Sequence, residues 1–423
     1  MELKKYKLGE ILELQRGYDL PSSQMKIGSV PVAGSNGVIG YHDTARGNYP
    51  CITVGRSGSV GKVHYYEQPT WAHNTALFVK NFKGNDPKYL YYFLKNLHLD
   101  EMFSKGSSVV PSLDRKVVHS LIVPFQEDKT CQKQIASVLS NIDRKIELNR
   151  AINQNLEAMA KQLYDYWFVQ FDFPDENGRP YKSSGGKMVW NEKLKREIPE
   201  NWHSDNICLI ADILSGGTPS KQINEYWNCG HIPFFGPTDY NGSMFQLQTA
   251  DKITESGLQH CSSSLFEENT IIITARGSIG KLVIVGTPMA MNQSCYALKS
   301  KNEEYEYLYF LTIQLIESLK AKGSGSVFKS IIASDIENTM LCVANKGIIS
   351  LFCDKVSPIM KQIKKNTQEM IHLTKQRDEL LPLLMNGQVS VNSDLAALYI
   401  IEDLNIGIYE REHHSGDSYG NAA

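Results

Sequence analysis

Two short segments rich in glycine contain the residues whose types and spacing come closest to a phosphate-binding loop. Residues 58–62 read Gly-Ser-Val-Gly-Lys, and residues 277–281 read Gly-Ser-Ile-Gly-Lys. A P-loop needs a Gly five positions before its Gly-Lys pair and a Ser or Thr directly after it. Arg56 and Val63 occupy these positions in the first segment, and the second segment fails both tests with Ala and Leu. The pattern therefore argues against a nucleoside triphosphate site.

The same two segments suit a tight loop between β-strands that presents charged and hydroxyl side chains. Arginine can contact guanine through two hydrogen bonds, and small residues let backbone N–H groups approach a phosphate. A β-turn without any ligand would explain the glycines equally well. We interpret each segment as a strand–loop–strand hairpin that faces phosphates or base edges. Its candidate contact residues are Arg56, Ser57, Ser59, Lys62, Arg276, Ser278 and Lys281.

A Lys-Gly-Ser motif also occurs twice, at residues 105–107 and 322–324. A Lys beside Gly and Ser can contact a phosphate, while a solvated turn explains the composition equally well. Both interpretations stay open from the sequence. The candidate residues of this motif are Lys105, Ser107, Lys322 and Ser324.

An asparagine follows each glycine-rich segment, Asn74 in the first copy and Asn292 in the second. An Asn amide can bind adenine through two hydrogen bonds. A buried Asn that braces the backbone is at least as good an explanation. Both asparagines are candidate DNA contacts.

No group of residues in the sequence has the spacing of a catalytic centre. Glu127 and Lys129 have the outline of a nuclease motif, but no Pro-Asp pair precedes them at a useful distance, so a solvated helix start explains them. There is no Asn/Asp-Pro-Pro-aromatic segment for base methylation and no Gly-x-Gly-x-x-Gly after a strand. The His residues are scattered. These absences favour a binding function over catalysis.

The composition is that of a soluble globular protein with two or three domains. Of 423 residues, 42% are hydrophobic and 21% charged. A net charge of −2 does not by itself predict a nucleic-acid ligand, so any DNA contact must come from local patches. The eight Cys form no Cys-x-x-Cys pair, which favours reduced thiols over disulfides or zinc. We expect a cytoplasmic protein without a membrane segment or signal peptide.

The candidate motifs lie in two copies of one domain. The interval between the two glycine-rich segments is almost the same as the interval between the aromatic runs that begin at Tyr89 and Tyr307. Because this interval is as long as a whole domain, it indicates a duplicated domain and not a short solenoid repeat. We predict a first head at 1–128, a helix at 129–170, a connector at 171–206, a second head at 207–344, a second helix at 345–390, and an acidic, disordered tail at 391–423.

Each head is followed by a heptad stripe. Apolar residues recur every seven positions within 135–163 and within 352–380, which predicts two long helices that can bury each other. Asn149 and Asn366 occupy the same heptad slot in the two stripes. A lone polar residue in an apolar seam usually fixes the register, whereas a solvent-facing Asn is the plainer alternative. We predict that both asparagines set the register of the helix pair.

The order head, heptad helix, head, heptad helix resembles the DNA-specificity subunit of Type I restriction-modification systems. The segments that carry the resemblance are residues 164–174, 181–188, 197–202, 216–221 and 380–387. Within the Gly-Gly-Thr-Pro-Ser-Lys segment of the second head, Thr218 and Lys221 join the candidate DNA contacts. The first head departs mildly from this pattern, with Arg-Gly-Tyr at 16–18 and Pro21, and the acidic tail lies outside it.

This resemblance implies an α+β fold of two target recognition domains, each a mixed β-sheet with helices. The long helix after each domain would pack with the other as an antiparallel coiled coil. Each head would read one half of a bipartite double-stranded DNA site. The helices would set the spacer and dock two DNA methyltransferase subunits, and a translocating restriction subunit would join them.

The resemblance further implies that the chain itself neither cuts nor methylates DNA and binds no cofactor. S-adenosylmethionine, ATP and Mg²⁺ would be used by the other subunits, in a prokaryotic cytoplasm. Two rival functions stay open: a catalytic DNA enzyme, meaning a fused nuclease or methyltransferase, and an interaction scaffold that does not bind DNA. The duplicated Arg/Lys/Gly/Ser loops count against the scaffold.

Overall fold

The computed structural model describes residues 3–104, 112–322, 330–389 and 391. The described residues divide into two compact units, one within Met1–Lys145 and His372–Ala423 and the other within Ile146–Ile371. Each unit contains one sheet-rich head and a part of both long helices. The predicted α+β class with two heads is therefore confirmed.

The first head is built from short strands with helices between them. Its strands are β1 (Lys4–Lys7), β2 (Glu13–Arg16), β3 (Val30–Gly34), β4 (Gly37–His42), β5 (Cys51–Gly55), β6 (Val63–Tyr66), β7 (Trp71–Ala72), β8 (Ala76–Asn81) and β9 (Ile122–Phe125). Its helices are α1 (Leu8–Ile11), α2 (Pro87–Asn96), α3 (Leu99–Ser104) and α4 (Arg115–Ser120). The helix α2 begins with Pro87 after Asp86, whose carboxylate accepts a hydrogen bond from the Tyr89 N–H at 2.8 Å, so the first turn is capped.

The second head repeats this plan. Its strands are β10 (Met188–Asn191), β11 (Arg196–Pro199), β12 (His203–Asp205), β13 (Ala211–Ser215), β14 (Ile232–Phe235), β15 (Phe245–Gln246), β16 (Lys252–Ile253), β17 (Ile271–Thr274), β18 (Leu282–Val285), β19 (Ala290–Met291), β20 (Cys295–Ser300) and β21 (Leu341–Val343). Its helices are α6 (Glu255–Gln259), α7 (Tyr305–Lys322) and α8 (Ala333–Glu337). The long helices are α5 (Lys129–Tyr164) and α9 (Lys346–Met385).

The sheet topology of the two heads is equivalent. The antiparallel order β2-β8-β5-β6 in the first head recurs as β13-β20-β17-β18 in the second, where β15 adds a further strand. A parallel pair, β3 with β7, recurs as β14 with β19. Thr53 pairs with Phe78, and Ile272 pairs with Ala297, so the strand register is also preserved, at the interval that separates the glycine-rich segments. The duplication seen in the sequence is a duplication of topology.

The central strand β17 shows why a central strand of these sheets is a continuous run of apolar residues. Ile271 and Ile273 pack in a core that includes Leu308 and Leu311 of α7. Ile272 points to the other face of the sheet, where it packs in a separate cluster. Because both faces are covered, all three side chains are fully buried and no polar alternation is needed.

The two long helices contact each other inside both units. In the first unit Ile135 and Leu139 of α5 share a core with Leu381 and Leu384 of α9. In the second unit Ala160 shares a core with α9 residues near its other end. Higher residue numbers on α5 therefore pair with lower numbers on α9, which is the antiparallel sense. A coiled coil along the whole length stays a prediction.

The heptad asparagines are buried and hydrogen-bonded between the helices. Asn149 donates to Glu369 at 2.8 Å, and Asn366 donates at 2.8 Å to Asn153, which in turn donates to Thr367 at 3.1 Å. The alternative of a solvent-facing Asn is therefore wrong for both Asn149 and Asn366. Their partners are different residues, which the shared heptad slot did not indicate. Their role in fixing the register stays a prediction.

Candidate nucleic-acid interface

The two glycine-rich segments form hairpin loops, as the sequence predicts. The first connects β5 to β6 and the second connects β17 to β18, and each pair of strands is antiparallel. The Gly61 N–H donates to the Gly55 carbonyl at 2.8 Å, and the Gly280 N–H donates to the Thr274 carbonyl at the same distance. The two loops therefore close in the same way.

Glycine is required in these loops by backbone conformation and by close packing. Gly58 and Gly61 have φ values of +82° and +81°, and Gly277 and Gly280 have values of +75° and +74°. A Cβ at Gly61 would lie 2.1 Å from the backbone nitrogen of Asp100 in α3. Side chains other than hydrogen are unfavourable in this left-handed region, and here the following helix also leaves no space. The loop is thus held by the core of its head.

Two other loops lie against the first hairpin loop, and a third lies against one of these two. The N–H groups of Arg56 and Ser57 donate to the Thr75 carbonyl at 2.9 and 3.1 Å. The Tyr18 N–H donates to the Ala72 carbonyl at 2.7 Å, and Lys62 donates to Asn36 at 2.8 Å. We call this arrangement loop cluster 1, which comprises residues 17–19, 34–36, 56–62 and 73–75.

The second head has the same arrangement. The N–H groups of Ala275 and Arg276 donate to the Ser294 carbonyl at 2.7 and 3.2 Å, and the Gly217 N–H donates to the Met291 carbonyl at 3.0 Å. We call it loop cluster 2, which comprises residues 216–218, 236–240, 275–281 and 292–294.

These backbone hydrogen bonds establish which positions are equivalent in the two clusters. Thr75 corresponds to Ser294, so the interval between the glycine-rich segments continues unchanged through this loop. Asn74 therefore corresponds to Gln293, and Asn292 corresponds to His73. Pairing Asn74 with Asn292 from the sequence is wrong by one residue. The interval shortens only later, before α2 and α7, where the first head has one extra residue.

The same comparison shows that Arg56 and Arg276 do not occupy equivalent positions. Arg276 is equivalent to Ser57, and Arg56 is equivalent to Ala275, which is buried. Arg56 is half-buried and Arg276 is exposed. No hydrogen bond or ion pair of either guanidinium is found within the described part of the chain.

The other candidate residues of loop cluster 1 differ in exposure. Ser57 and Ser59 are half-buried, and Lys62 is exposed with its ammonium on Asn36. Asn74 is half-buried and donates its amide to the carboxylate of Asp19. Loop cluster 1 thus combines the hydrogen-bonded amide of Asn74 with the ammonium of Lys62 at the edge of the hairpin loop.

Five candidates of the second head are exposed: Thr218, Lys221, Arg276, Ser278 and Lys281. The Lys281 ammonium lies 5.4 Å from the ring centre of Tyr240, and that of Lys221 lies 5.5 Å from the Trp227 ring. Thr218 donates its hydroxyl to Gln293. Lys221 lies outside loop cluster 2, on the segment that follows Thr218.

Asn292 braces its own loop. Its Oδ1 accepts from the Ser294 N–H at 2.9 Å. The equivalent His73 places its Nδ1 at 2.9 Å from the Thr75 hydroxyl and 3.4 Å from the Thr75 N–H. Burial lowers the pKa of His73, which keeps the imidazole neutral at pH 7 and able to accept. The geometry favours the bracing interpretation for Asn292.

The Lys-Gly-Ser motifs are only partly described. Lys105, Ser107 and Ser324 lie outside the described residues, and Lys322 ends α7 without a described side chain. Leu113, which lies shortly after the first motif, is bonded to the hairpin loop, because its N–H donates to the Arg56 carbonyl at 2.9 Å. The second head makes the equivalent bond from Ile331 at 3.0 Å. Phosphate contact by these motifs stays a prediction.

Two site residues were missed by sequence reasoning, Asp19 and Gln293. Gln293 directly follows Asn292. It lies as far along the chain from Asn74 as the second glycine-rich segment lies from the first, and this equal interval was the signal that could have identified it. Asp19 lies 55 positions before its partner, and no local pattern connects the two.

Within the described ranges, no cluster of three or more His, Cys, Asp or Glu could hold a metal ion. No described helix is long and apolar enough to cross a membrane.

Residues 1–158 and 199–369 match the family model of the Type I restriction modification DNA specificity domain. The chain belongs to this family. The MjaIX specificity subunit of Methanocaldococcus jannaschii, a Type I restriction enzyme subunit, is 28% identical over 312 residues, which cover 72% of this chain and 69% of the relative. The HindI specificity subunit of Haemophilus influenzae is 25% identical over 357 residues, covering 72% and 77%.

The fold is also that of a solved member of such systems. The S subunit of a Type I restriction-modification system from M. genitalium superposes with a TM-score of 0.59 at 18% identity, covering 91% of this chain and 96% of the other. Family membership confirms the prediction of a DNA-sequence-specificity subunit that is not itself the enzyme. Neither rival function, a fused enzyme or a scaffold without DNA, is favoured.

Proposed function

We propose that each head reads one half of a bipartite double-stranded DNA sequence through its loop cluster. One observation carries this proposal: the two heads share the backbone arrangement of their loops but differ in the side chains at equivalent positions. In both heads the hairpin loop, the loop at 73–75 or 292–294 and the loop at 17–19 or 216–218 are tied by equivalent backbone hydrogen bonds, so both heads can approach DNA in the same way. Equivalent positions hold different side chains, such as Ser57 against Arg276. A common loop backbone that carries different base-contacting side chains fits the reading of two different half-sites.

The chemistry of the loops suits this function. Exposed cations at Lys62 and Lys281 can neutralise phosphates, which position a protein on DNA without reading its sequence. The guanidinium groups of Arg56 and Arg276 can contact base edges in the major groove. The long helices would then fix the distance between the half-sites, with Asn149 and Asn366 setting their register.

Replacing each loop arginine by alanine should damage one half-site and spare the other. A good base contact contributes about 1–3 kcal/mol of discrimination, so Arg56→Ala should relax a base in the half-site of the first head. Arg276→Ala should do the same in the other half-site. Selection of bound sequences from a randomised duplex library, with the full-length chain alone and with its methyltransferase partner, measures both effects.

Lys299→Ala is the matched control for Arg276→Ala, because Lys299 lies in the same head but pairs with Glu267 at 2.7 Å, outside loop cluster 2. It should change neither half-site. If Arg56→Ala or Arg276→Ala weakened random and selected duplexes equally, that arginine would be a phosphate contact and its base-reading role would be excluded.

An exposed apolar face on α5 is the surface that we propose for docking methyltransferase subunits. Leu148, Ile152 and Met159 are 53%, 45% and 56% exposed, and their spacing of four and seven places them on one side of the helix. Exposed apolar residues grouped in this way mark interaction surfaces. Two methyltransferase subunits, joined by restriction subunits, would supply the chemistry, with S-adenosylmethionine, ATP and Mg²⁺ bound by those partners.

A charge on this face should weaken assembly. Ile152→Lys places an ammonium in an apolar contact, and we expect at least about a tenfold loss of methyltransferase affinity, measured by calorimetry with purified subunits. Gln154→Lys is the matched control, since Gln154 is exposed on a different side of α5 and receives the same charge. Equal affinity of both variants and the original chain would exclude this face as the docking surface.

A further inference from the structure

We infer that Asn74 and Gln293 are adenine-reading residues, one in each head, and that Asp19 and Thr218 orient their amides. This inference rests on the proposed function and names the residues through which part of it is performed. Gln293 takes the place that the sequence had assigned to Asn292.

The equivalence of the two amides follows from the backbone. Each directly precedes the residue whose carbonyl accepts two N–H groups of the hairpin loop, Thr75 in the first head and Ser294 in the second. Asn and Gln differ in length by one methylene but carry the same amide. Among the natural side chains, these two can bind adenine through one donated and one accepted hydrogen bond. The two diverged heads thus retain the same chemistry at one position.

The contact with Asp19 fixes how the Asn74 amide is turned. A carboxylate can only accept, so the Asn74 nitrogen and not its oxygen must face Asp19. One N–H and the carbonyl oxygen remain for a ligand. These are the groups that bind N7 and the N6 amino group of adenine. Asp19 therefore holds the orientation of the amide and takes up only one of its two N–H groups.

Thr218 holds Gln293 from the equivalent position. Cβ atoms built at Gly17 and Gly216 would lie 2.1 and 2.2 Å from the carbonyl oxygens of His73 and Asn292, so the two loops approach their neighbours alike. Asp19 and Thr218 each follow that glycine by two residues. Thr218 donates its hydroxyl to the Gln293 oxygen, which keeps a second lone pair, and the Gln293 nitrogen donates to no residue that the structure describes.

Asn292 is unsuited to the reading role that Gln293 can fill. Its oxygen is engaged by the Ser294 N–H at 2.9 Å within the loop, and its nitrogen would lie 3.0 Å from a Cβ at Gly236. Gln293 is exposed, whereas Asn292 is half-buried. Asn292 supports the loop, and Gln293 extends from it.

Selection from a randomised duplex library with the full-length chain tests the inference. Asn74→Ala should lower the preference for adenine by about 5- to 150-fold at one position of one half-site. Gln293→Ala should do the same at one position of the other half-site. Gln293→Glu keeps the shape of the side chain and removes both donors, so it should lose the same adenine even if the alanine variant folds poorly. Melting temperatures verify the fold of each variant.

The positioning residues give a separate signature. Asp19→Ala and Thr218→Val should relax the same adenine positions as their partners, by a smaller factor, and leave other bases unchanged. Asn292→Ala should lower the melting temperature without relaxing a single base. A purely structural role for Asp19 or Thr218 would instead weaken all bases of its half-site together.

The outcomes distinguish this inference from the function on which it rests. If the original chain selects no bipartite sequence, the proposed function fails and the inference fails with it. If the original chain selects one and a folded Gln293→Glu variant keeps every preference, the inference alone is overturned. Relaxation at a base other than adenine, or at the same base by Asn292→Ala, also overturns it.

Discussion

Inserting seven residues into each long helix should lengthen the gap between the two half-sites by about three base pairs. At about 1.5 Å per residue, a heptad adds about 10 Å of helix, and B-DNA rises about 3.4 Å per base pair. The half-sites themselves should not change, because whole heptads keep the apolar stripe in phase and leave both loop clusters untouched.

The division of the chain into two units shows where the insertions belong. Both helices pass from one unit to the other, between residues 145 and 146 in α5 and between 371 and 372 in α9. Insertions there leave the Arg377–Asp143 ion pair of the first unit and the Asn149–Glu369 hydrogen bond of the second unit in place. Each head keeps its own contacts with the helices.

Library selection with the lengthened chain gives the new gap directly. Inserting five residues in each helix is the control, since it turns the stripes by about 140° relative to their original phase and should abolish a defined gap. If the lengthened chain binds as well as the original and keeps the original gap, the helices are not the ruler.

Removing the Asp143 carboxylate should destabilise the first unit by about 2–4 kcal/mol, because it leaves a largely buried guanidinium without its main partner. Asp143 on α5 accepts from Tyr92 of α2 at 2.6 Å and from Arg377 of α9 at 2.7 Å. The Arg377 side chain is 16% exposed. Burial and the neighbouring carboxylate raise the pKa of Tyr92, so its hydroxyl keeps the proton that it donates.

Asp378→Ala is the matched control for Asp143→Ala. Asp378 also contacts Arg377, at 2.8 Å, but its side chain is 55% exposed, and its loss should cost less than about 1 kcal/mol. Urea titration of the full-length chain, with hydrogen exchange of the α2 amides, measures both variants. Equal stabilities of the two would show that Asp143 does not connect the first head to its helices.

Much of the architecture was predictable because it repeats or follows a period. The heptad stripes indicated both long helices, and the glycine spacing indicated both hairpin loops, whose left-handed positions need glycine. The family resemblance was carried by ordered segments along most of the chain. Such signals are local, so a single sequence contains them in full.

The details of the site depended on contacts between distant residues. The choice of Gln293 over Asn292 follows from the carbonyls of Thr75 and Ser294. In the sequence two amide side chains stand next to each other, and the interval between the glycine-rich segments is the signal that separates them. Asp19 contacts Asn74 although 55 positions separate them along the chain. The buried Asn366 donates a hydrogen bond to Asn153 and not to Asn149, which occupies the same heptad slot. Partners of this kind are set by tertiary packing, which composition and periodicity do not encode.

Exchanging one head tests most directly the claim that each head reads its own half-site. Residues 1–128 would be replaced by the corresponding head of a relative with a different sequence preference, and bound duplexes would be selected from a randomised library. We predict one new half-site, with the other half-site and the gap unchanged. A folded chimera that changes both half-sites, or neither, would contradict the account.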